Sequence, residues 1–293
     1  MPADIEIRTV TTAAGPVECA DFGDADGPTV LTLHGSPGGV DQGIVMGRFL
    51  AAAGFRVLTM SRPGYLGTPL TDDTAPIDAQ ADLCVALLDA FEVESAGVLS
   101  WSGGGPVGYR LAVRHPDRVH ALVALAALSH QFDWHLSLAD RLMFGTWAGT
   151  TVIDLLLRLA PSNIVSGALQ SEGDLTGDEV KRRTDEIMAD DERRDFVLTL
   201  TKSATSRGDR HEGVENDQKC FAGIEDLELA DIIIPTLIVA GDADTDVVPQ
   251  FSEFAHEQIP DSELLVMPGG THLCLYVDPG YQEAQQRVAE FLR

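Results

Sequence analysis

Val98-Leu99-Ser100-Trp101-Ser102-Gly103-Gly104-Gly105 is the stretch whose reading decides the fold. An apolar, strand-like segment runs into it, and helix-like sequence over residues 106–115 runs out of it. A serine with small residues two positions to either side, at a strand-to-helix junction, has the pattern of a nucleophile elbow. The turn is so tight that its apex, Ser102, must take a strained backbone conformation with the hydroxyl exposed. Ser100 and Gly104 must be small, or the turn clashes. Ser100 stands where the strict G-x-S-x-G pattern has glycine, a departure of one hydroxymethyl group. In a Gly-rich chain such a run also suits a plain loop before a helix, so the surroundings have to decide.

Those surroundings alternate strand-like and helix-like segments, the signature of a mainly parallel sheet covered by helices. Residues 5–10 and 17–22 read as short leading strands. Residues 29–33 read as a buried strand running into His34-Gly35-Ser36-Pro37-Gly38-Gly39. A helix is expected over residues 40–53, a strand over 56–60 and a helix over 78–91, where Leu83, Cys84, Leu87, Leu88 and Phe91 recur at helical spacing. Strands follow at 97–101 and 119–128. From about residue 131 to residue 224 the strands vanish, and helix-like stretches such as 138–159 and 179–201 take over. Strand logic returns at residues 232–240 and 263–267, with helices near 247–258 and 281–293. A helical block interrupting an α/β repeat reads as an inserted cap. The expected organisation is therefore a core over residues 1–130, a cap over 131–224, and the rest of the core over 225–293.

Composition sets the outer bounds. The chain has 293 residues, 44% of them apolar, enough for one large α/β domain with an insertion. No run of about 18 apolar residues is present, so no membrane-spanning helix is expected. Residues 1–6 lack the basic and apolar regions of a secretory signal, which points to the cytoplasm. Cys19, Cys84, Cys220 and Cys274 are scattered without metal-ligand spacing and read as buried thiols. A formal net charge of −26 would repel nucleic acid and anionic membranes, so neither is expected as a partner. Only Lys181, Lys202 and Lys219 are lysines. That surface suits a high-salt cytoplasm, where screening relieves self-repulsion. An acidic protein in which arginine simply replaces lysine would look the same, and thermal stability across a salt series separates the two.

Two further sites fall at expected strand ends, where ligands collect in open α/β sheets. Gly241-Asp242-Ala243-Asp244-Thr245-Asp246 follows one apolar strand, and Gly269-Gly270-Thr271-His272 follows the next. The chain order is thus serine, acid, histidine. A serine hydroxyl is a poor nucleophile at neutral pH and needs a histidine to take its proton, while an acid fixes the imidazole tautomer.

With these residues in hand the chain resembles the α/β-hydrolase fold superfamily, in its capped branch of proline iminopeptidase-like enzymes and bacterial esterases. The matching landmarks are His34–Gly39, Ser61-Arg62-Pro63-Gly64-Tyr65, the Ser102 elbow, His115-Pro116-Asp117-Arg118-Val119, the Gly241–Asp246 turn and Gly269–His272. They cover most of the chain except the cap. The resemblance implies a mainly parallel eight-stranded sheet with helices on both faces. It implies Ser102 as nucleophile, His272 as general base, and an oxyanion hole from the backbone N–H groups of Ser36 and Gly103. The acid falls at Asp244, three residues after the glycine. The family commonly has proline four residues after the acid, whereas Pro249 lies five after Asp244, so Asp246 stays open as the alternative and Asp242 reads as a turn residue.

That pattern implies a serine hydrolase acting on a small-molecule carboxylic ester or related acyl compound, with no metal or organic cofactor. Release of N-terminal proline is the alternative: the His34–Gly39 loop favours it, but that family carries tryptophan after the serine, and here Trp101 precedes it. C–C bond hydrolysis and perhydrolysis use the same triad, and a non-catalytic ligand receptor is the alternative of a different class. Trp101 is a candidate substrate contact as well as a packed aromatic. Trp134, Phe144, Trp147 and residues 155–157 are candidate apolar lining. His34 is expected to brace its loop, the Ser36 hydroxyl to serve its own turn, and Arg62-Pro63-Gly64 to turn the chain after a strand. Thr245 and Asp246 are expected to cap the helix that follows. Oligomeric state is left open.

Overall fold

Four apolar runs, each buried on both faces, make the centre of the molecule. They are β3 (Thr29–Leu33), β5 (Ala96–Trp101), β6 (Val119–Leu125) and β7 (Thr236–Gly241). The computed structural model describes residues 5–135, 138–204 and 208–293. Residues 1–4, most of the stretch read above for a signal, lie outside the described residues, as do residues 136–137 and 205–207 of the expected cap. Around the central strands lie β1 (Ile7–Thr12), β2 (Gly15–Gly23), β4 (Arg56–Met60) and β8 (Glu263–Met267). The eight form one sheet in the order β1-β2-β4-β3-β5-β6-β7-β8. β1 and β2 pair antiparallel, and β2 pairs antiparallel with β4; the pairs from β4 through β8 are parallel. This is the expected fold class. At the hairpin between β1 and β2, Gly15 takes a φ of 122°, open to glycine at little cost.

The helices that cover the sheet are α1 (Val40–Ala52), α2 (Ile77–Ala90) and α3 (Gly105–Arg114). Between β6 and β7 the described residues contain α4 (Leu138–Met143), α5 (Trp147–Leu159), α6 (Pro161–Ser171), α7 (Gly177–Ala189), α8 (Asp191–Ser203) and α9 (His211–Ala222). α10 (Gln250–Gln258), α11 (Cys274–Val277) and α12 (Tyr281–Phe291) complete the chain. Apolar side chains fill both faces of the sheet, with Leu31, Leu33, Val98 and Leu122 in one cluster and Val30, Leu99, Val123 and Val239 in another.

Several boundaries differ from expectation, each for a local reason. The stretch 138–159 is two helices, because Thr146 caps α5 by accepting from the Gly149 N–H at 3.1 Å. The stretch 179–201 breaks at Asp190, which accepts from the N–H groups of Glu192 and Arg193 at 3.0 and 3.1 Å. Both caps sit inside amphipathic patterns that read as continuous. β7 starts at Thr236, after Pro235, whose nitrogen carries no ladder donor. Among the described residues no single helix is long and apolar enough to cross a membrane, and all four cysteines are free thiols.

Candidate active site

The elbow sits where β5 meets α3. Ser102 takes a φ of 54°, a left-handed conformation rare for a residue with a side chain. Its neighbours leave no spare room: a Cβ on Gly104 would lie 2.6 Å from the His34 carbonyl oxygen, and one on Gly103 would collide with Ser36 Oγ. The serine at position 100 fits because residue 108, opposite it on α3, is glycine. A Cβ there would sit 2.6 Å from Ser100 Oγ. The departure from the strict motif is thus matched by a small residue one helix turn on.

Three more strand ends meet Ser102. After β3, a Cβ on Gly35 would lie 3.2 Å from Ser102 Cβ, which brings the His34–Gly39 loop against the elbow. After β7, Asp244 Oδ1 accepts from the N–H groups of Asp246 and Val247 at 2.9 and 3.0 Å. Asp244, rather than Thr245 or Asp246, therefore caps this turn. Its other oxygen, Oδ2, meets His272 Nδ1 at 2.8 Å, both side chains being almost wholly buried. Asp246, also on this turn, lies on the other side of the ring, with Oδ2 3.5 Å from Nε2. Trp101 stacks on the His272 ring at 5.2 Å between centroids.

Ser102, His272, Ser36, Trp101 and Asp246 line a cavity of about 320 Å³, with Trp134, Phe144, Glu172 and Leu200 from the helical stretch on its other side. No hydrogen bond joins Ser102 Oγ to His272 Nε2 among the described residues; such contacts are often long until substrate binds. Trp147, by contrast, is 72% exposed and Leu155 is 55% exposed, so neither belongs to this lining. No lysine or arginine is among the described lining residues. Burial disfavours the His272 imidazolium, but the charge and hydrogen bond of Asp244, with Asp246 and Glu172, outweigh it and raise its pKa to about 10. Burial, then the charge of Asp246, pushes the Glu172 carboxyl up to about 8 against the opposing pull of His272.

Two buried ion pairs fasten the helical stretch to the loops of the site. Arg62, 1% exposed, grips Asp217 of α9 with both terminal nitrogens, at 2.7 and 2.6 Å. Asp217 also accepts from the hydroxyls of Tyr65, at 2.5 Å, and Ser36, while Arg62 donates to Ser36 Oγ at 2.8 Å. Arg62 is therefore more than a chain turn, and the Ser36 hydroxyl reaches across to α9 rather than serving its own turn. His34 donates from Nδ1 to the Gly35 carbonyl at 2.7 Å and accepts the Arg62 N–H on Nε2 at 2.9 Å. Burial and the Arg62 charge keep that ring neutral. On the opposite side, Arg183 of α7 pairs with Asp278 and donates to the Gly269 carbonyl, both at 2.8 Å. Asp278 in turn receives the Thr271 N–H at 2.6 Å, next to His272.

Comparison with known proteins agrees with this architecture: the alpha/beta hydrolase fold family profile matches residues 28–279. The chain belongs to the α/β-hydrolase fold family. An α/β-hydrolase fold protein from Nakamurella multipartita superposes with a TM-score of 0.93 at 47% identity, covering 98% of this chain and 99% of that one. A 2-hydroxy-6-oxononadienedioate/2-hydroxy-6-oxononatrienedioate hydrolase from Cupriavidus pinatubonensis is 25% identical over 80% of this chain and 78% of its own. A pimeloyl-[acyl-carrier protein] methyl ester esterase from Aeromonas hydrophila is 34% identical over 34% of this chain. The chain aligns with 43%, 38% and 43% of the length of the first curated relatives it matches.

In this family member the sequence pattern located the strand-end residues but missed the Arg62–Asp217 pair, whose partners lie 155 positions apart. Nothing in that pattern sets Glu172 apart from the chain's other acidic residues. The segment after α6 carries it to the site: Glu172 accepts the His272 N–H on its carbonyl at 2.9 Å, and Gly173 bridges to Asp244. The one available signal was Gly173, where a Cβ would collide with Thr271.

Proposed function

We propose that this chain is a serine hydrolase cleaving a carboxylic ester or related acyl bond of a small molecule, with residues 131–224 as a cap over the site. One observation carries the reading. Ser102, strained at the elbow, shares a cavity with His272, whose Nδ1 is held by Asp244 at 2.8 Å. That bond keeps the lone pair of neutral His272 on Nε2, facing the cavity. It also favours Asp244 over Asp246 as the orienting acid.

In the first step Ser102 Oγ attacks the acyl carbon and passes its proton to Nε2. The backbone N–H groups of Gly103 and Ser36 receive the oxyanion, each worth about 3 kcal/mol in such sites. The imidazolium then returns its proton to the leaving oxygen as the acyl–oxygen bond breaks, leaving the acyl group on Ser102. Water repeats the sequence and frees the acid. Trp101 stacks against the ring that carries the proton and walls the acyl site.

Two carboxylates and no lysine or arginine in the described lining disfavour a doubly anionic substrate of the kind named for the Cupriavidus relative. They support a neutral ester, closer to the methyl ester in the name of the Aeromonas relative. The same carboxylates favour one second reading, an aminopeptidase that receives the ammonium of an N-terminal proline. Hydrolysis of p-nitrophenyl acetate, butyrate and octanoate beside proline p-nitroanilide tests both. A cavity of about 320 Å³ predicts acetate and butyrate ahead of octanoate, with turnover lost in Ser102→Ala. Cleavage of the anilide alone would transfer the assignment to the peptidase. Silence on every substrate from a folded chain contradicts both.

A further inference from the structure

Asp244 leaves one ring nitrogen of His272 open, and two more carboxylates converge on it. Asp246 Oδ2 lies 3.5 Å from Nε2. Glu172 lines the same cavity, and its Oε2 is buried without a hydrogen-bond partner. One ligand atom from each of Glu172, Asp246 and His272 falls within 4.8 Å of the other two.

We propose that Glu172, Asp246 and His272 form a binding site for a divalent transition-metal ion, zinc being the best fit, and that the bound metal holds the enzyme off. Zinc bonds imidazole nitrogen at about 2.0–2.1 Å and carboxylate oxygen at about 2.0–2.2 Å, which sets neighbouring ligands of a tetrahedron about 3.4 Å apart. The separation of Nε2 from Asp246 Oδ2 already matches that edge. Metal-bound histidines characteristically donate their other ring nitrogen to a carboxylate, which fixes the tautomer and raises ligand basicity. Asp244 stands in that position at 2.8 Å. Glu172 supplies the third ligand, and coordination gives its orphaned oxygen the partner that the protein does not. The imidazole selects zinc and its neighbours over calcium and magnesium, which prefer oxygen alone. An ammonium ion would use the Asp246 charge but leave the tetrahedral spacing without purpose. Metal on Nε2 removes the proton acceptor for Ser102; this inhibitory half rests on the hydrolase reading, whereas binding does not.

The test is calorimetric titration of zinc chloride into the wild-type chain, Ser102→Ala, Glu172→Gln and Asp246→Asn, with the fold of each checked by circular dichroism. Turnover of the best p-nitrophenyl ester is followed in parallel, before and after chelator. The expected result is one zinc per chain for wild type and Ser102→Ala, bound about tenfold or more weakly by either carboxylate variant. Turnover falls with zinc and returns with chelator. The two carboxylate variants are independent, so one that folds suffices. No binding overturns the proposal. Equal affinity in wild type and the carboxylate variants also overturns it, placing the ion elsewhere on the acidic surface. Zinc binding of the expected pattern in a chain that turns over no ester supports the metal site and counts against the hydrolase reading instead.

Discussion

His272 is the residue on which the proposed chemistry turns, and three carboxylates surround it. Burial alone would keep the ring neutral, but Asp244, Asp246 and Glu172 together hold a proton on it well above the ordinary histidine range. Only the neutral ring can accept the Ser102 proton. The sign follows: at low pH the base is occupied, and activity is gained as pH rises through the raised pKa. The expected kcat/KM profile therefore climbs through the alkaline range, and Asp246→Asn moves the climb to lower pH by removing one charge. A wild-type profile already flat above about pH 7.5, one unit past the unperturbed histidine value, contradicts this account. So does a limb that Asp246→Asn leaves in place.

At the scale of elements, the helical stretch is fastened to the loops of the candidate site by side chains rather than by backbone pairing alone. α9 reaches the Ser36 loop through Asp217, and α7 reaches the His272 loop through Arg183. Removing one partner of a buried pair leaves the other charge uncompensated, at a cost of about 3–5 kcal/mol. Asp217→Ala should lose stability in that range by chemical denaturation. It should also lower kcat more than it raises KM, because Arg62 and Ser36 lose their common anchor beside the proposed oxyanion donor. A loss below about 1 kcal/mol contradicts the buried pair. An effect confined to KM contradicts the link to the Ser36 loop. These clamps were invisible in the sequence for a plain reason. Asp217 lies on a helix that also carries Glu212 and Glu215, and only the folded chain sets it against Arg62.

For the whole molecule, the sheet was legible because its central strands are continuous apolar runs, and each run announces a buried parallel strand with little help from distant residues. The candidate site was legible for a related reason. Ser36, Ser102 and Asp244 each follow the end of such a strand, and His272 follows the edge strand β8, where local sequence fixes position. What lay beyond reach depends on chain segments meeting from afar. The cavity wall drew Trp134 and Phe144 inward but left Trp147 at the surface, a choice that helix packing makes and helical periodicity does not. Glu172 could not be told from the chain's other acids until the segment after α6 paired with the Asp244 and His272 loops. The account stands or falls on Ser102 as nucleophile. The most direct measurement is labelling of the intact chain with a fluorophosphonate probe, followed by peptide mass mapping. One adduct per chain on Ser102, lost in a folded His272→Ala variant, is the predicted result. A folded wild-type chain that takes no label, or takes it on another serine, contradicts the account.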